Sequence, residues 1–186
     1  MKMATQMHGT IASWAMVLIM AGTNAGAFGL DRTKTPDMAI VPGYHFWPTV
    51  VFEFGYTESY DDLKADVKLL LEGSAGGIIK AILIKLEPIR QGETNIQKWF
   101  VEVWHLVDGY AKKDGGRKNL FPPPRSHGMQ KIELTLGDIL GDEFGKMAVD
   151  GWGEDATLLL QLDSLWEFIN MATQHHLIEQ GVLQQG

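Results

Sequence analysis

Apolar positions along this chain alternate between short β-branched runs and stripes at helical spacing. Residues 38–41 and 49–54 are compact apolar runs bounded by proline and glycine, which predicts two buried strands. Ser59 can cap the N–H groups that open a helix, with Asp62 at the reciprocal third position. Leu63, Val67, Leu70 and Leu71 form its apolar stripe, and Gly73 is a fitting terminator. Residues 78–86 are densely apolar, broken by Lys80 and Lys85, and suit a central strand. Residues 99–106 alternate as a further strand, and 131–136 predict another. Residues 108–128, with Gly109, Gly115, Gly116 and prolines 122–124, read as a long loop. Residues 158–162 suit either a last strand or the front of a helix whose stripe (Leu165, Trp166, Ile169) runs from about 163 to about 179. Strand–helix–strand passage around 49–86 fits a parallel crossover in a mixed sheet, so the expected class is α/β, bordering on α+β.

The amino terminus allows two readings. Lys2, the apolar run 11–21 and Ala25-Gly26-Ala27 outline a secretory signal matured near Ala27. The other reading is a buried first helix, and the spacing favours it. Ten residues precede the apolar run, Ser13 and Trp14 interrupt its start, and it falls short of the about 20 apolar residues of a membrane span. An intracellular protein is the expectation and a secreted one the alternative. Gly22–Gly29 reads as punctuation around a short strand.

Composition narrows the field without naming a chemistry. The 186 residues suit one domain, and 45% hydrophobic with 21% charged positions excludes a disordered chain, a coiled coil and a multi-span membrane protein. Zero cysteine excludes disulfides, Cys-ligated zinc and thiol nucleophiles. A net charge of −7 speaks against a broadly basic nucleic-acid surface, though not against a local basic groove. Residues 1–30 hold one charged side chain, Lys2, and the first acid is Asp31.

The sharpest local feature is Asp37, after Pro36, on one strand and Glu53 on the next. If residues 43–48 connect them, the hairpin is symmetric about residue 45, and Asp37 faces Glu53 on one side of an antiparallel pair. Opposed like charges are destabilising, which invites a proton or a bridging cation. A hard divalent ion such as Mg²⁺ takes carboxylate oxygens and can activate water for phosphodiester hydrolysis. The alternative is two solvated strand-end acids.

The ordered series KTPDMAIVP (34–42), WPTVVFEFGYTESYDDL (47–63) and IIKAILIKL (78–86) resembles the core of PD-(D/E)XK, restriction-endonuclease-like proteins. In particular it resembles a group of mostly uncharacterised fungal members. FVEVWHL (100–106), LFPPP (120–124) and IELTLGDILG (132–141) extend the resemblance over about 34–141. It implies a central mixed sheet flanked by helices and a Mg²⁺- or Mn²⁺-dependent nuclease acting on DNA, with Asp37 and Glu53 as the metal-binding acids. The resemblance also implies a lysine at position 55, where this chain has Gly55; in some members that lysine moves to the following helix, where Lys64 and Lys68 are the candidates. Many members carry an acid on the first helix, and none precedes Asp31 here. These two departures from the pattern point to the rival reading, a catalytically decayed scaffold binding a protein or nucleic acid.

Other features weigh less. Lys64 and Lys68 share a face with Asp61 and Glu72, which an ordinary strip of helical ion pairs explains. Glu102 lies on a strand that could neighbour the site, with an edge-strand acid as the commoner explanation. Lys112, Lys113, Arg117, Lys118 and Arg125 form the basic cluster; it could meet phosphates from a mobile loop, but a solvated charged loop is the commoner explanation. His175 and His176 are adjacent and diverge on a helix, and Gly73–Gly77 lacks the lysine of a phosphate loop.

Overall fold

A computed structural model of the chain describes residues 10–11, 13–15, 36–43, 45, 47–146 and 151–184. The apolar run at 38–41 forms β1 (Met38–Ile40) and that at 49–54 forms β2 (Val50–Gly55), antiparallel to each other. Helix α1 (Tyr60–Gly73) follows, then β3 (Lys80–Leu86), which lies parallel to β2 as the crossover pattern predicts. Strand β4 (Trp99–Val107) runs antiparallel to β3. Among the described residues no helix is long and apolar enough to cross a membrane.

Helix α1 starts where its cap dictates. The Ser59 Oγ accepts the Asp62 backbone N–H at 3.1 Å and donates to the Asp62 carboxylate at 2.7 Å. Replacing Ser59 with Ala is expected to cost about 1 kcal/mol in a urea titration, with Ser59→Asp recovering most of it. Leu63, Val67, Leu70 and Leu71 are buried against one face of the sheet, on Val51, Leu83, Phe100 and Trp104. The other face carries Phe52, Phe54, Ile82, Ile84 and Val101, covered by the second sheet and the last helix.

The segment 108–128 is not a loop. It contains β5 (Tyr110–Lys113) and β6 (Lys118–Phe121), which pair with the two halves of β4 in turn. The physical cause is Asp108-Gly109. Both residues hold positive φ, 52° and 80°, and close a two-residue hairpin between Val107 and Tyr110. The main sheet therefore runs β1-β2-β3-β4-β5, with β6 also on β4.

A second, two-stranded sheet joins β7 (Lys131–Thr135) to β8 (Thr157–Gln161). Thr135 and Asp138 cap the short helix α2 (Leu136–Leu140) reciprocally, so the predicted strand ends one residue early. The ambiguous run 158–162 resolves into both options: β8 ends at Gln161 and α3 (Leu162–Glu179) begins at once. Residues 10, 11 and 13–15 are helical, and Ile11, Trp14 and Ala15 are buried in the core that α3 covers. The Trp14 indole N–H donates to the Ser164 Oγ at 2.9 Å. The rest of the apolar run, the signal-like Ala25–Ala27 and the strand expected near 22–29 lie outside the described residues.

Candidate functional site

The hairpin register is the one its symmetry predicts. Met38 pairs with Phe52, Ala39 with Val51 and Ile40 with Val50, which brings Asp37, one residue before β1, opposite Glu53. Glu53 pairs with Leu83 on β3, and Leu83 with Glu102 on β4. Partners in register share a face. One row across the sheet thus reads Asp37, Glu53, Leu83, Glu102, on the side that α1 covers.

The two expected acids differ in setting. Asp37 is exposed, and its Oδ2 accepts the Phe54 backbone N–H at 2.7 Å, so part of this carboxylate ends the β1–β2 ladder. Glu53 is 2% exposed, enclosed between sheet and helix. Between them they offer hard oxygen ligands from two residues. Among the described residues no three His, Asp or Glu side chains gather as a metal site. Carboxylate oxygens are hard donors of the type Mg²⁺ takes.

Position 55 explains its own glycine. A Cβ there would lie 2.8 Å from Leu63 Cδ2 and 3.3 Å from Lys85 Cδ. The helix stripe and a lysine from β3 occupy the space that a side chain on Gly55 would need. Leu63 belongs to the α1 core, so this slot closes as the helix docks.

The two lysines expected on α1 have different surroundings. Lys64 Nζ pairs with Asp61 at 2.8 Å and lies 5.2 Å from the centre of the Tyr60 ring, whose own neighbour is Phe100 on β4. Lys68 is exposed one turn along. Glu72, on the same face, accepts the Ala111 backbone N–H at 3.0 Å and ties the helix to β5.

Sequence reasoning passed over Lys85. It pairs in register with Gly55, on the Glu53 face, and is 7% exposed. Its Nζ donates to the carbonyls of Tyr56 at 3.1 Å and Leu86 at 2.6 Å. Burial pushes its pKa below the ordinary lysine value, partly offset by Glu87 and Glu58. The signal was a lysine inside an otherwise apolar central strand.

Glu102 requires the largest correction. It does not sit on an edge strand: β4 is flanked by β3 on one side and by β5 and β6 on the other. Glu102 lies where the outer partner changes from β6 to β5 and is 1% exposed. Its Oε1 accepts from Arg117 Nε at 2.8 Å and Lys113 Nζ at 3.2 Å. Its Oε2 accepts from the Tyr60 hydroxyl at 3.0 Å and the Trp104 indole at 3.2 Å. Burial raises the Glu102 pKa, but hydrogen bonds from Arg117, Tyr60 and Lys113 outweigh it and hold the carboxyl below its usual range. The basic cluster divides accordingly, because Lys113 and Arg117 face this carboxylate while Lys112 and Arg125 are exposed.

No family model, no curated protein and no solved structure matches this chain.

Proposed function

We propose that this chain is a restriction-endonuclease-like domain that keeps the acid pair of a phosphodiesterase and has lost hydrolysis, acting as a binding scaffold. Support for the architecture comes from an antiparallel hairpin with opposed acids, a capped helix and a parallel third strand, in that order. The observation that carries the loss of hydrolysis is the filled slot at Gly55, where Leu63 stands 2.8 Å from any added Cβ. A side chain entering from that position must displace Leu63 and crowd Lys85. Lys64 is engaged by Asp61 and lies over the Tyr60 ring. Asp37 and Glu53 would still hold a divalent cation of the Mg²⁺ kind, which would supply charge neutralisation between two carboxylates.

An active metal-dependent nuclease is the second reading, and Lys85 is the observation that favours it. This ammonium stands on the Glu53 face one residue pair along, beside the glycine, and burial lowers its pKa. The two readings separate in one experiment. Supercoiled plasmid incubated with Mg²⁺ or Mn²⁺ is expected to stay intact with wild type, Asp37→Ala and Glu53→Ala alike. Nicking by wild type that disappears in both acid variants would install the nuclease reading. Calorimetric titration of Mg²⁺ is expected to show weak binding that either substitution removes.

A further inference from the structure

We infer that Arg117 and Lys113, anchored on Glu102, form a fixed site for the phosphate group of a phosphate ester. The inference is independent of whether Asp37 and Glu53 bind a metal. It starts from how the guanidinium is held. Arg117 lies 3.6 Å from the centre of the Phe100 ring and 4.9 Å from that of Tyr60, so aromatic groups fix its plane. Its Nε is bonded to a carboxylate that is itself 1% exposed and cannot move to follow a ligand.

A guanidinium has five N–H donors. Glu102 takes the one on Nε; burial lowers the guanidinium pKa, and hydrogen bonding to Glu102 and Tyr60 more than offsets it. That leaves most of the outer edge of the fork, and the side chain is 34% exposed. Lys113 brings a second cation to the same Glu102 oxygen and is 41% exposed. Two positive groups around one negative group leave a net charge of +1 facing solvent. The nearby Lys64–Asp61 pair adds none.

Such an arrangement discriminates by shape. A planar carboxylate that meets the fork with both oxygens can reach Lys113 only through lone pairs in that same plane. A phosphate group offers further oxygens out of that plane, so fork and ammonium can be engaged together. The rigid base also lowers the ordering cost of binding, because the arginine is already held in the geometry it would use. Monoesters and diesters share this chemistry, and small probes distinguish them.

The test is an NMR titration that follows the Arg117 Nε–H and Trp104 indole N–H signals, both of which report on Glu102. Inorganic phosphate and dimethyl phosphate are the probes for the two ester classes, with sodium acetate at matched ionic strength as control. A saturable shift with at least one phosphate probe is expected, about tenfold tighter than with acetate, and Arg117→Lys should weaken it about tenfold by removing the fork. Lys113→Gln, which leaves the Glu102–Arg117 bond in place, should weaken it by a smaller factor and keeps the proposal testable if Arg117→Lys does not fold. Asp37→Ala and Glu53→Ala should leave phosphate binding unchanged, so failure here and failure of the acid-pair reading are distinct results. Equal responses to phosphate and acetate, or wild-type phosphate affinity in folded Arg117→Lys or Lys113→Gln, would overturn the proposal.

Discussion

Replacing Glu102 with glutamine is expected to lower stability by about 3 kcal/mol near neutral pH, read as a fall in the urea midpoint at unchanged slope. The carboxylate is 1% exposed and accepts four hydrogen bonds, two from cationic side chains. Glutamine keeps the shape but turns an NH₂ group toward donors that need an acceptor, and it removes the charge opposing Arg117 and Lys113. Losing one partner of a buried ion pair typically costs about 3–5 kcal/mol. The lower end applies because Arg117 and Lys113 are 34% and 41% exposed and can turn to water. Arg117→Ala should cost less, since Lys113, Tyr60 and Trp104 still serve the carboxylate.

The same substitution carries a pH signature. The folded-state pKa of Glu102 is depressed, so its contribution is complete above the ordinary carboxylate pKa of about 4.3 and is lost as pH falls through the lower folded value. The gap between wild type and Glu102→Gln should therefore be widest near neutral pH and narrow under acid conditions. Other acids held low by nearby lysines, such as Glu133 and Glu143, titrate in both proteins and cancel in the difference. A gap that stays constant down to acid pH would show that Glu102 contributes shape rather than charge.

Glu102 also shows why part of the site could not be read from the chain. The hairpin register of Asp37 and Glu53 was legible because a short connection between two apolar runs leaves little freedom in pairing. The α1 cap and stripe were legible because both are local. Glu102 needed β5 and β6 to be recognised as strands, since only they convert an apparent edge into an interior position. The Asp108-Gly109 hairpin signal was present, but the glycines and prolines that follow outweighed it. Lys85 was hidden for a different reason. A helical crossover does not fix the register of the strand it delivers, so its pairing with Gly55 exists only in the folded sheet.

Gly55→Lys, which restores the lysine that the family resemblance would place there, is expected to destabilise the protein by about 3 kcal/mol or more and to produce no nuclease. Two costs combine. Any Cβ at this position meets Leu63 Cδ2 at 2.8 Å, and overpacking of this kind costs about 1–3 kcal/mol. An ammonium must then be accommodated under α1, next to the Lys85 side chain, where a like charge is already buried. Gly55→Ala isolates the first cost and should show only that part. Shortening Leu63 should relieve it, so Gly55→Ala combined with Leu63→Val should be less destabilised than the sum of the two single changes. Strict additivity would mean that Leu63 does not enforce the glycine. A Gly55→Lys protein with wild-type stability and Mg²⁺-dependent cleavage of plasmid would show that the slot is open and would overturn the proposal that this position blocks hydrolysis.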